Sequence, residues 1–255
     1  MEKKYELMFM TWKEADEAFK QNPVVILPLG SMEVHGPHSP VGDFLVADEV
    51  AKKTAEKSGA YTLPVVPFGH SEYFRAFPGT ISVMPETLYH LVDDICTSLL
   101  EHGVTKIMFL NGHAGNGPAL EQLARRIRRE RGLIITRMDM WQMLPPEVMK
   151  EVYGENLNKI GHGGGPVDTV MKYLHPDKMR MDLYDKGEVR RTKWQEFPMA
   201  GLGKTKVYGS ATFLPVNMED ISPQGNLGDP LLGDSAGGEK LLNWMVDCCC
   251  VCCRD

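Results

Sequence analysis

The run Val24-Val25-Ile26-Leu27-Pro28-Leu29 leads directly into Gly30-Ser31-Met32-Glu33-Val34-His35-Gly36-Pro37-His38-Ser39-Pro40-Val41-Gly42-Asp43. The first segment is apolar and rich in branched side chains, and it reads as a buried strand. The second sets two carboxylates and two imidazoles among glycines and prolines. Polar chemistry concentrated on a loop just past a buried strand narrows the choice of architecture. An open α/β sheet gathers such loops along the edge formed by the carboxyl ends of its strands.

The rest of the chain fits that architecture. Residues 8–20 read as an opening helix, with Thr11 as N-cap and Glu14 three positions on, a capping-box pattern. Residues 44–58 read as a helix closed by Gly59. Tyr61 to Pro67 reads as a second strand and 68–82 as a long loop, a length that in a compact domain points to function. Residues 85–102 form a third helical pattern. Residues 105–110 are a strand that runs into Asn111-Gly112-His113-Ala114-Gly115-Asn116-Gly117, and 118–131 are a helix with a basic, solvated face. Residues 133–138 read as a fourth strand, and Pro145-Pro146 as a break. A third polar loop, Gly161-His162-Gly163-Gly164-Gly165-Pro166-Val167-Asp168, precedes a short helix over 169–174. The chain is then less regular until a final helix over 235–246. Alternating strands and helices without a linker or repeat imply a single α/β domain over 1–255 with a mainly parallel sheet.

Apolar residues make up 43% of the 255 and the net charge is −6. No broad basic surface is expected, so nucleic acid is an unsuitable partner. No apolar run reaches membrane-spanning length and no signal-peptide core follows Met1, so the expected location is the cytoplasm, without a membrane partner. Five of the six cysteines fall between Cys248 and Cys253. No cysteines lie across the fold to be stapled, so 248–255 is expected to be a reduced, thiol-rich tail.

Glu33, His35 and Asp43 on the first loop, His113 on the second, and His162 with Asp168 on the third could converge on one site. Carboxylate and imidazole together suit zinc, manganese, iron or nickel. In an extended segment Glu33 and His35 point the same way. A carboxylate that bridges two ions would complete a hydrolytic clamp.

At these residues the chain resembles the creatininase (creatinine amidohydrolase) family. Pro28-Leu29-Gly30-Ser31 followed by Glu33-x-His35-Gly36-Pro37-His38 matches its first motif, and Asn111-Gly112-His113-x-Gly115-Asn116 its second. Phe77-Pro78-Gly79-Thr80-Ile81-Ser82 and Gly228-Asp229-Pro230 match lesser signatures, so the resemblance spans roughly 24–239. It implies a three-layer α/β/α domain, a binuclear site for two divalent ions (Zn, Mn or Fe) and a homo-oligomer, trimer or hexamer. The metal ligands it implies are Glu33, His35, Asp43 and His113, with Asp43 bridging. His162 is implied as the histidine that moves a proton to the leaving group.

The chain departs from the family pattern in places. Asp43 lies one residue closer to the glutamate than usual. Gly115 stands where creatininase has a glutamate ligand. In the alternative His-Ala-Gly-x-x-Glu-Thr motif of other members, the glutamate column falls on Val167, so Asp168, the nearest carboxylate, is taken as fifth ligand and as a second catalytic candidate. Tyr73-Phe74 replaces a frequent Glu-His pair, which makes Ser71, Tyr73 and Phe74 the candidate substrate contacts and moves the expected substrate away from creatinine. The resulting expectation is hydrolysis of the C–N bond of a small polar cyclic amide or formamide by a metal-bridged hydroxide. The alternatives are carbon–carbon hydrolysis of a cyclic diketone such as an oxidised inositol, and a metal- or ligand-binding relative without catalysis.

Overall fold

The computed structural model describes residues 3–188, 190–199 and 202–254. Four parallel strands form the central sheet in the order β2-β1-β3-β4: β1 (Val24–Leu29), β2 (Tyr61–Thr62), β3 (Lys106–Asn111) and β4 (Thr136–Asp139). β1 and β3 pair along their full length, from Val24 against Lys106 to Leu29 against Asn111. Side chains alternate across the sheet, as the pleat requires. Val25, Leu27, Leu29, Ile107 and Phe109 pack on one face with α3 (Pro85–Glu101) and α4 (Gly117–Arg131). Ile26, Met108 and Leu110 pack on the other with α2 (Phe44–Ser58), α6 (Val167–Leu174) and α8 (Ser235–Cys252). The molecule is thus a three-layer α/β/α fold with a parallel sheet.

α1 (Trp12–Phe19) begins with the expected capping box, and Gly59 and Gly132 close α2 and α4 in the left-handed conformation. β2 is shorter than expected because Pro64 and Pro67 have no N–H to give the ladder. The segment still follows β1, through Leu63 N–H to Ile26 O and Val66 N–H to Pro28 O. Pro146 starts α5 (Pro146–Tyr153) where a break was expected, since the first helical position needs no donor. The irregular stretch holds two small antiparallel pairs, β5 (Lys193–Trp194) with β6 (Phe197–Pro198) and β7 (Lys204–Val207) with β8 (Ser210–Phe213), followed by α7 (Met218–Ile221).

The cysteine segment is not a tail. α8 runs through to Cys252 because Leu241, Leu242, Met245, Val246, Cys249 and Cys250 recur at helical spacing and are all buried against α2 and α6. Burial pushes the Cys253 thiol up to about 11 and Cys249 higher still, so both stay protonated. No described helix is long and apolar enough to cross a membrane.

Candidate metal centre

β1 and β3 are neighbours in the sheet, yet the chain leaves β1 towards β2 on one side and continues past β3 to β4 on the other. Their carboxyl ends therefore flank the point where the strand order reverses, the place where open α/β sheets bind ligands. The loop after β1 brings Glu33, His35 and Asp43 there, and the first residues after β3 bring His113.

Gly30 makes the first turn possible. A Cβ on it would lie 2.4 Å from Phe44 Cα and 2.6 Å from Asp43 Oδ1. The start of α2, with Asp43 just before it, can close onto the strand end only if that position is glycine. Asp43 Oδ1 accepts the Ser31 N–H at 2.7 Å, and its Oδ2 faces His113 Nδ1 at 3.3 Å. Glu33 Oε2 lies 2.9 Å from the same nitrogen. Glu33 Oε1 faces His35 Nε2 at 3.7 Å and His162 Nδ1 at 3.9 Å. Two candidate ligand groups result, Glu33–Asp43–His113 and Glu33–His35–His162. The carboxylate common to both is Glu33, whereas the resemblance implied that Asp43 would bridge.

The electrostatics follow from taking five titratable groups out of water. Burial works to raise the Glu33 pKa, but His113 above all, with His35 and His162, holds it down at about 2. Burial and the charge on Glu33 raise Asp43. His113 is raised well above an ordinary imidazole, because the two carboxylates outweigh its own burial. His162 falls to about 3, through burial and the neighbouring His35. Two carboxylates and three imidazoles within reach of one another, nearly all out of solvent, form a donor set suited to divalent transition ions.

Asp168 does not join the cluster: it is fully buried, and its Oδ2 lies 2.6 Å from Nε2 of the equally buried His38. It lies in the first turn of α6, whose packing turns it away from the cavity, while its neighbour Val167 lines that cavity. Ser71, expected as a substrate contact, is buried and does not line the cavity. It lies behind Glu33, donating to Oε2 at 2.5 Å, with Ser31 Oγ 2.5 Å away. His162, the implied proton carrier, does reach the cluster: its Nε2 donates to Val34 O at 2.6 Å and its Nδ1 faces Glu33 Oε1 at 3.9 Å.

Tyr73 and Phe74, the other two expected substrate contacts, line the cavity, and Phe74 stacks on His162 at 4.3 Å between ring centroids. The cavity measures about 650 Å³, and its further walls are Trp141, Leu202, Phe213, Val216 and Leu227. Trp141 went unnoticed in the sequence although it lies two residues past the end of β4, on the same sheet edge. The other walls come from the irregular segment, which carries no periodic signal.

The buried carboxylate–imidazole cluster at the sheet edge of this α/β/α fold is a candidate centre for divalent ions. A profile of the family described as "Creatininase: Creatinine amidohydrolase" matches residues 8–252, and the chain belongs to this family. The creatinine amidohydrolase of Pseudomonas putida is 31% identical over 189 residues, 68% of this chain and 73% of that protein. The mycofactocin precursor peptide peptidase of Mycobacterium ulcerans is 28% identical over 243 residues, 89% of this chain and 83% of that one. Among solved structures, a creatinine amidohydrolase superposes with a TM-score of 0.79 at 24% identity, covering 96% of this chain and 95% of that one, which establishes the shared fold. A mutant creatininase has been solved in a Zn–Zn form and a creatininase in an Mn form.

Proposed function

We propose that the chain hydrolyses the C–N bond of an amide that carries an apolar or aromatic group, such as the end of a peptide. The observation that carries this reading is the cavity, whose walls beyond the ligand cluster are mostly apolar and which is roomy for a small polar ring. It widens the sequence expectation of a small polar cyclic amide. The peptidase similarity over most of the chain agrees with it.

Glu33, His35, Asp43 and His113 would hold the divalent ions, which when bound would polarise the carbonyl and acidify a water. The chain's own groups would do the rest. Burial raises the Tyr73 pKa, so its hydroxyl remains a neutral donor that can hydrogen-bond to a carbonyl oxygen. Phe74 and Trp141 exclude water and seat an apolar side chain. Lys204, a cationic residue on the wall, suits a carboxylate at the far end of the substrate.

A substrate panel tests this: creatinine, an N-formyl amide, short peptides with aromatic or aliphatic ends, and a diketo-inositol. The expected result is amine release, with kcat/KM at least tenfold higher for apolar peptides than for creatinine. Ring opening of the diketone without amine release would instead support carbon–carbon hydrolysis. A metal-loaded protein that turns over nothing in the panel would support the non-catalytic binding protein.

A further inference from the structure

We propose that His162 is a metal ligand through Nδ1, completing with Glu33 and His35 the site of a second ion that neither family carboxylate position can serve in this chain. The inference rests on the metal-dependent reading above. It departs from the proton-transfer role that the resemblance implied.

The two positions where a further carboxylate was sought are closed. A side chain at Gly115 would start with its Cβ 2.2 Å from His70 O and 2.5 Å from His113 Nε2, so no residue with a side chain fits there without moving the His113 support. Val167 occupies the other position and presents an aliphatic group to the cavity. Asp168, the next residue, is bound to His38.

His162 fills the gap, and its hydrogen bonds settle which nitrogen does so. A backbone carbonyl can only accept, so the 2.6 Å contact to Val34 O puts the proton on Nε2 and leaves a lone pair on Nδ1. By the same argument His35 donates from Nδ1 to Glu33 O at 3.2 Å and keeps its lone pair on Nε2. Those lone pairs converge on Glu33 Oε1, at 3.9 and 3.7 Å. Three electron-rich atoms facing one another repel unless a cation lies between them. Bonds of about 2.1 Å in tetrahedral geometry set ligand atoms about 3.4 Å apart, so the set needs little adjustment to grip an ion. His162 is already held in place. Its ring stacks on His35 at 4.4 Å and on Phe74 at 4.3 Å, which fixes the direction of Nδ1 before any ion arrives.

The test uses cobalt(II) added to chelator-stripped full-length protein, with bound metal counted by elemental analysis and ligation read by paramagnetic NMR. Wild type should bind two ions per chain. When fully loaded it should show three strongly shifted exchangeable imidazole N–H signals, from His35, His113 and His162. The variant His162→Ala should keep one ion and bind the second at least tenfold more weakly. Two ions bound by His162→Ala with unchanged affinities would overturn the assignment, as would only two shifted N–H signals in loaded wild type. The wild-type signal count decides the matter even if the variant does not fold. A wild type that binds one ion, unaffected by His162→Ala, removes this assignment and leaves the first site intact. A wild type that binds none removes the metal-dependent reading itself.

Discussion

His35, His113 and His162 share one arrangement. Each directs one nitrogen at the carboxylates and the other at a backbone carbonyl, of Glu33, His70 and Val34 respectively. Carbonyl partners of this kind fix the tautomer and aim the ligand nitrogen. Ser71 does the same for Glu33, holding Oε2 where His113 meets it. Ser71→Ala should therefore leave the fold unchanged and weaken metal binding by roughly 10–100-fold, measured by competition with a chelator; unaltered affinity would contradict the role. Asp168 belongs to a different problem. Its buried pair with His38 ties α6 to the first polar loop. Asp168→Asn should lower stability in urea by about 1–3 kcal/mol, since it weakens a buried charge-assisted bond, while metal stoichiometry stays at the wild-type value. The reverse pattern, lost metal with unchanged stability, would restore Asp168 as a ligand.

Among the elements, local signals were read well wherever a single residue carries them. The box at Thr11 and Glu14 formed as expected: Glu14 N–H donates to Thr11 Oγ1 at 3.4 Å, and Thr11 N–H to Glu14 Oε2 at 2.7 Å. The Thr11 amide first, then Lys4, holds Glu14 down at about 2. A carboxylate with a depressed folded pKa stabilises above its unfolded value, and that contribution disappears as pH falls through the folded value. The Thr11 amide resonance should therefore titrate with a midpoint near pH 2, and a midpoint at the ordinary carboxylate value would show that the box does not form. Gly59 likewise marked the end of α2. The sequence misled where one residue type has two uses. Proline shortened β2 but began α5, and cysteine, read as a reduced, thiol-rich tail, serves in α8 as a small apolar residue.

At the scale of the whole molecule, the strand order β2-β1-β3-β4 turns loops distant in sequence into one centre. Four of the five groups in the cluster were legible beforehand as ligands, because Glu33, His35, Asp43 and His113 follow two recognisable strands and sit in dense motifs. What sequence spacing could not settle was the direction of side chains at the third loop. Asp168 and His162 lie six residues apart, and only the packing of α6 decides that Asp168 turns to His38 while His162 turns to Glu33. The apolar wall was illegible for a related reason. Leu202, Phe213 and Val216 reach the cavity through short hairpins whose pattern carries no period.

Catalysis should depend on ions held by this cluster. The direct measurement is amine release from the best peptide amide by wild type and His113→Ala, each assayed as purified, after chelation, and after zinc or manganese is returned, with bound metal counted in parallel. Wild type should lose activity and metal together on chelation and regain both. His113→Ala should lack the ion of the Glu33–Asp43–His113 group and fall at least a hundredfold in turnover. Full activity in chelated wild type, or in His113→Ala without that ion, would contradict the account.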